Sequence, residues 1–188
     1  MIVAISALML SLCGLFIAVY EATLVRQSQR ASVWPHVQVG VSITSESITM
    51  HVQNTGVGPA RIEAAAVYYN GEKQKDWLSL LRNFVGEKAD SVSFNLSLIN
   101  GTVLPTSSEQ QPIFNISTDY NGVEEDLIHE LGRSILQGDI DVTVCYSSVF
   151  GECWTGSLLD VLGRSQGKQS ANGSGAIGDC ESAPRSGI

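Results

Sequence analysis

The N-terminal segment of the chain is an uncharged run that constrains everything after it. Residues 2–20 contain no acidic or basic side chain, and the first acid is Glu21. Nineteen residues of α-helix extend over about 28 Å, which matches the hydrocarbon core of a bilayer. A cleavable signal peptide has a basic N-terminal region and a shorter apolar core, and neither is seen here. The run therefore predicts a transmembrane helix over residues 1–21, with residues 2–20 in the lipid bilayer.

The residues that follow this run predict a short stalk and an orientation. Arg26 and Arg30 follow the apolar run and no Lys or Arg precedes it, which favours the following domain on the cytoplasmic face over the periplasmic or extracellular one. Trp34 could lie at the membrane interface. Because the residue before a proline avoids the α region, Trp34-Pro35 is better explained as the end of the helix. We assign residues 22–35 to a juxtamembrane helical stalk.

Charge and length limit the remaining part of the chain. The net charge is -8, and the basic residues are scattered, whereas a nucleic-acid-binding domain has a basic face. We therefore expect no nucleic-acid partner. Residues 36–162 are numerous enough for one domain with its own core. Residues 163–188 are too poor in apolar side chains to pack, so we predict a disordered tail.

Most of the domain alternates apolar and polar residues with the period of a β-strand. Turn residues such as Asn54-Thr55-Gly56 and Asn70-Gly71 separate these segments. The pattern predicts strands at residues 37–43, 48–52, 60–69, 92–98, 101–104, 112–118, 140–146 and 153–159. Two segments, residues 77–85 and 123–136, have helical spacing instead. We predict a mainly β fold, an immunoglobulin-like antiparallel β-sandwich with one or two short helices.

Cys145 and Cys153 are predicted to lie close enough together to form a disulfide. A hairpin centred on Val149 places them directly opposite each other, at a separation that a disulfide can bridge. An oxidising compartment favours the disulfide, and the cytosol favours two reduced thiols. The spacing is not that of a zinc site. The predicted disulfide therefore conflicts with the orientation that Arg26 and Arg30 favour.

The remaining chemistry-bearing residues form no recognisable motif. His129 begins a sequence like that of a zinc-protease helix, but the second histidine is missing. Asp119 begins an acidic segment that lacks the glycine of an EF-hand calcium loop. We therefore predict no catalytic residue, no metal and no cofactor, and we do not expect an enzyme.

Three motifs resemble those of one family. They are RQSQRASVWP at residues 26–35, NTGVGPA at residues 54–60 and CYSSVFGECW at residues 145–154. Together they resemble a group of uncharacterised bacterial single-pass membrane proteins, in which a small immunoglobulin-like β-sandwich follows an N-terminal anchor. The resemblance implies that architecture and brings no activity with it.

Two functions fit these predictions. The first is a membrane-anchored, non-catalytic interaction or display module that binds a protein partner through loops or edge strands. The alternative is a redox-responsive sensor or accessory subunit of a membrane complex, with the hairpin or tail cysteines as the responsive groups.

Overall fold

The computed structural model describes residues 2–163 and begins with one long helix. Helix α1 is Ile2–Ala31, so it covers the predicted anchor and most of the predicted stalk at residues 22–35. All of its side chains that the structure describes are exposed. By length and composition, α1 is the one helix within residues 2–163 that could cross a membrane. It ends four residues before Pro35.

Nine strands and three further helices follow α1. The strands are β1 (Val37–Ile43), β2 (Ser47–Asn54), β3 (Ala60–Tyr69), β4 (Glu72–Lys73), β5 (Asn95–Leu96), β6 (Val103–Leu104), β7 (Gln111–Ser117), β8 (Ile140–Ser147) and β9 (Cys153–Ser157). The helices are α2 (Trp77–Val85), α3 (Glu125–Gln137) and α4 (Leu158–Val161), and a 3-10 helix spans Gly86–Ser91.

The strands form two antiparallel sheets around one core. Sheet A has the order β1-β2-β7-β5, and sheet B has the order β4-β3-β8-β9 with β6 also paired to β3. Alternate residues of β2 are buried, as the period of two requires. Buried side chains of both sheets and of all three short helices belong to a single hydrophobic cluster. The sheets therefore pack face to face as a sandwich.

Two helices cover the end of the sandwich where β1 ends, which we call the far end. Asp76 caps the first turn of helix α2, and its carboxylate accepts hydrogen bonds from the Ser79 amide and hydroxyl, both at 2.7 Å. The hydrogen bond from the Ser79 hydroxyl is the main reason that the pKa of Asp76 lies below its ordinary value. Helix α3 lies against Ile43 and Ile48 at Gly132, where a Cβ atom would be 3.2 Å from Ile43 Cγ2. Phe84 of α2 packs edge-on against Tyr69, the last residue of β3, with ring centres 5.4 Å apart. Both helices therefore close this end with apolar side chains.

The predicted mainly β class, with antiparallel sheets and an N-terminal apolar helix, is confirmed. The immunoglobulin-like assignment stays a prediction. Three short α-helices are present where one or two were predicted. The predicted strand at residues 92–98 pairs with β7 only at Asn95 and Leu96. It is short because the chain then crosses to sheet B, where the Gly101 amide donates to the Ile62 carbonyl. The predicted tail, apart from Gly163, lies outside the described residues.

The prediction that Cys145 and Cys153 lie directly opposite each other, where a disulfide could join them, is wrong. In the β8–β9 hairpin Cys145 pairs with Thr155, and Cys153 pairs with Ser147. The hairpin is centred on Phe150, because Gly151 takes the left-handed conformation (φ 78°) as the last residue of the turn. Cys153 has a free thiol, whereas Cys145 is disulfide-bonded. Cys180 lies outside the described residues.

Candidate interaction surface at the helix–domain junction

Four segments meet where α1 joins the sandwich, and together we call them the junction. They are the last turn of α1, the connection at residues 32–36, the loop at residues 55–59 and the hairpin tip at residues 148–152. The Val57 and Gly58 amides donate to the Trp34 carbonyl at 3.0 and 3.2 Å. The Thr55 amide donates to the His36 carbonyl at 2.8 Å. The connection that leaves α1 is therefore bonded to the sandwich through its backbone.

Asn54 is the buried side chain that organises this end. Its carboxamide oxygen accepts from the His36 and Gly56 amides at 3.2 and 3.0 Å. Its carboxamide nitrogen lies 2.8 to 3.2 Å from the carbonyls of Gly58, Leu104 and Pro105. Asn54 is fully buried, so each of these polar groups depends on the others for a partner. One amide thereby joins three loops.

Gly56 and Gly58 allow the connection to lie directly against the 55–59 loop. A Cβ atom at Gly56 would collide with the backbone nitrogen of His36, and one at Gly58 would collide with the carbonyl oxygen of Val33. Those contacts are to backbone, which cannot rotate away as a long side chain can. The glycines of the NTGVGPA motif are therefore required for close approach of two backbone segments.

The hairpin tip reaches α1 through Arg30. Arg30 Nη1 lies 3.5 Å from Glu152 Oε1, and its guanidinium carbon is 5.9 Å from the centre of the Phe150 ring. The tip itself is ordered by the Ser148 amide, which donates to the Glu152 carbonyl at 2.8 Å, and by the Gly151 amide, which donates to the Ser148 carbonyl at 3.0 Å. The last turn of α1 thus has a second attachment to the domain.

Exposed apolar side chains surround this attachment. They are Trp34 (45% exposed), Val57 (63%), Val149 (64%) and Phe150 (48%). The Trp34 ring packs against the His36 ring at an interplanar angle of 34°, with ring centres 5.6 Å apart. Polar residues usually occupy such turns, and an apolar tip costs free energy in water. The junction therefore has the composition of an interaction surface.

The predicted membrane-flanking residues occupy different positions at the junction. Arg26 and Arg30 are exposed on α1, and only Arg30 has an ion-pair partner among the described residues. Trp34 lies three residues beyond the end of α1, in the connection. Arg30 and Trp34 are therefore brought to the junction, whereas Arg26 lies one helical turn before it.

Cys145 and Cys153 lie on the outer face of sheet B, next to the junction. Because Ser147 is opposite Cys153 and two residues from Cys145, all three side chains lie on one face. The Ser147 hydroxyl donates to Glu63 Oε1 at 2.6 Å. The cysteines are thus diagonal neighbours, one with a free thiol and one disulfide-bonded.

Other titratable groups are dispersed. His51 lies over Gly40 on the outer face of sheet A, and its burial there lowers its pKa. Burial raises the pKa of Tyr146, and a hydrogen bond with the Val37 backbone partly opposes that effect. Within residues 2–163, no three His, Cys, Asp or Glu side chains lie close enough together to hold a metal ion.

A small cavity lies between the sheets, away from the junction. It has a volume of about 10 Å³ and is lined by Ala65, Trp77, Leu96, Ser97, Ile99, Asn100, Ile113 and Val142. That volume holds about one water molecule, which is too small for an organic ligand.

No protein-family model matches this sequence, and no curated protein matches it either. The resemblance to bacterial single-pass membrane proteins therefore stays a prediction. The sequence identified the NTGVGPA segment as a turn and as a motif of the resemblance, but it did not indicate the contacts of this segment with residues 33–36. Sequence reasoning also missed Val149 and Phe150 as exposed residues, although two apolar residues in a hairpin turn were the available signal.

Proposed function

We propose that this chain is a membrane-anchored, non-catalytic interaction module whose sandwich is held in a defined orientation at the end of a transmembrane helix. The observation that supports it most is the exposure of the apolar α1 helix together with the bonded junction. A helix with exposed apolar side chains from Ile5 to Val25 is stable in lipid rather than in water. The proposed occupant of the interaction surfaces is a protein partner.

Membrane anchoring is tested with paired substitutions in the full chain. Replacing Leu12 and Leu15 with lysine adds roughly 5 to 7 kcal/mol to the cost of insertion if both lie near the bilayer centre. We expect the native chain to stay with membranes through alkaline extraction and this variant to leave them. Leu136→Lys with Val161→Lys is the matched control, because both residues are exposed on the sandwich. Release of the native chain or of the control variant would contradict anchoring by α1.

The side of the membrane is tested with two reporters fused after residue 188. One reporter is active only in the periplasm and the other is fluorescent only in the cytoplasm. We propose the cytoplasmic side, on the charge of Arg26 and Arg30 after the apolar run. The disulfide at Cys145 favours an oxidising compartment instead, so the two reporters decide between these two observations. A periplasmic signal would overturn this orientation and direct the search for a partner to the cell envelope.

A redox-responsive accessory subunit is the second candidate function, favoured by a free thiol beside a disulfide-bonded cysteine. The Cys153 thiolate would attack the Cys145 sulfur, form a Cys145–Cys153 bond and release the former partner of Cys145 as a thiolate. Because diagonal neighbours are farther apart than a disulfide spans, this exchange requires the backbone of the β8–β9 hairpin to move. Disulfide mapping in glutathione buffers of varied potential tests it, with Cys153→Ser as the control. Full alkylation of Cys153 in every buffer would exclude this exchange.

A further inference from the structure

We propose that the junction is itself a lipid-binding surface, and that Trp34, Val57, Val149 and Phe150 lie in the headgroup layer of the bilayer that α1 crosses. This inference rests on the proposed membrane anchoring. It adds that the sandwich stands against the bilayer through one end, instead of being held away from it on an extended helix.

The contacts of Arg30 show that the hairpin tip extends alongside α1. Side chains of an α-helix are inclined toward the N-terminus of the helix, so the guanidinium group of Arg30 lies on the membrane side of its own Cα atom. Phe150 and Glu152 contact that group. The tip therefore extends back along α1 toward the bilayer and not away from it.

The length of α1 determines whether the tip can reach lipid. If α1 stands upright with residues 2–20 in the hydrocarbon core, Arg30 is about 15 Å above the core. The headgroup layer is only about 5 to 8 Å thick on each side. In that arrangement the junction would be in water, and its exposed apolar side chains would have no partner.

A tilted helix brings the junction to the headgroups. Residues 22–25 are again uncharged, so from residue 2 to residue 25 the chain has one charge, Glu21, in a helix of about 36 Å. A helix longer than the core tilts, and roughly 35° fits this length to a core of about 30 Å. Arg30 is then about 6 Å above the core, within the headgroup layer.

Charge and side-chain type at the junction fit this environment. Arg26 is placed at the boundary of the core, where its guanidinium group can bind lipid phosphates. Trp34 is an aromatic residue of the type that is enriched at membrane interfaces. Glu21 is then about 5 Å below the boundary, a depth that its own flexible side chain can span. Phosphate-bearing lipid headgroups are therefore the occupant that the junction fits.

The test measures how close the junction is to lipid in the full chain. Tryptophan is introduced as Phe150→Trp in a background with Trp34→Phe and Trp154→Phe, and Trp77 remains because it is buried in the core. The matched control is Leu136→Trp in the same background, because Leu136 is an exposed residue on α3 at the far end. Each variant is inserted in vesicles of phosphatidylcholine and phosphatidylglycerol that contain a lipid with a nitroxide on its headgroup.

We expect the nitroxide to quench the indole of the Phe150→Trp variant severalfold more strongly than that of the Leu136→Trp variant, with a blue-shifted emission for the former only. If Phe150→Trp fails to fold, native Trp34 in a Trp154→Phe chain is the second probe, and strong quenching is expected there too. Equal, weak quenching at both ends in chains that resist alkaline extraction would overturn the lipid-binding surface and leave the anchoring intact. Chains that alkaline extraction releases would overturn both.

Discussion

The two ends of the sandwich are closed in different ways. At the far end, α2 and α3 bury apolar faces, and Trp77 stacks on Phe114 with ring centres 4.2 Å apart. At the junction end, one buried amide and two close-packed glycines join backbone segments, and apolar side chains remain exposed. The far end is therefore stabilised by packing, which is non-directional. The junction end is stabilised by hydrogen bonds, which fix the direction in which α1 leaves the domain.

The largest expected effect on the free energy of unfolding is at the far end. Trp77→Ala removes a side chain that is 2% exposed and leaves a cavity beside Phe114, so we expect a loss of about 3 to 5 kcal/mol in the free energy of unfolding. The measurement is denaturant unfolding of the full chain in detergent micelles, monitored by the circular dichroism of the β-sheets. Leu136→Ala, at an exposed site on α3, is the control and should change stability by less than about 0.5 kcal/mol. Equal effects of the two substitutions would show that α2 does not contribute to the core.

The corresponding prediction for the junction end concerns a single hydrogen-bonded side chain. Asn54→Ala removes the partner of three carbonyls and two amides, so we expect a loss of about 3 kcal/mol from unpaired buried groups. Gln53→Ala is the neighbouring control, because its amide donates one hydrogen bond, to Ser108. It should cost about 1 kcal/mol. If Asn54→Ala cost no more than Gln53→Ala, the contrast between the two ends would be lost.

Asn54→Ala should also loosen the angle between α1 and the sandwich. Spin labels on α1 and on β8 would report a broader distribution of distances in the variant than in the native chain. Trp77→Ala should leave that distribution unchanged, since α2 lies at the far end of the sandwich. If the distance distribution broadened in both variants, the orientation of α1 would depend on the stability of the whole sandwich and not on Asn54.

The elements that are regular in sequence were predicted well. The predicted bounds of β1 and β3 agree with the structure. β1 alternates polar and apolar residues along its length, and β3 lies between two turn segments, Gly58-Pro59 and Asn70-Gly71. The helical spacing of residues 77–85 likewise predicted α2. These patterns are local, and the side of the element that faces the core can be recognised from spacing alone.

The junction could not be predicted because its contacts join residues that are distant in sequence. Gly58 contacts Val33, and Asn54 contacts Leu104. Neither pair leaves a periodic pattern. The hairpin register was mispredicted because Gly151, and not the midpoint between the two cysteines, determines where the turn lies. Arg30 was singled out for its charge, and its position beside Phe150 required the register to be known.

A smaller effect is expected at the first turn of α2. Asp76→Ala removes the helix cap and should cost about 1 kcal/mol. The pKa of Asp76 is lowered in the folded state, so its contribution is present above its ordinary pKa of 3.8 and is lost as the pH falls through the lower folded value. The difference between the native chain and the variant should therefore shrink below about pH 3.8. Asp90→Ala, which removes only an exposed ion pair with Arg82, should show a weaker effect.

The smallest effect concerns the attachment of the hairpin tip to α1. Arg30→Gln removes an exposed ion pair with Glu152, which is worth less than about 1 kcal/mol and is screened by salt. We expect a loss of about 0.5 kcal/mol at low salt that disappears at high salt, with Arg30→Lys as the charge-preserving control. A loss as large as that of Asn54→Ala would assign the orientation of α1 to the tip and not to the 55–59 loop. A small loss in the free energy of unfolding would leave Asn54 as the main attachment of α1 to the sandwich. The Arg30 contact would then serve to hold the Phe150 ring beside α1.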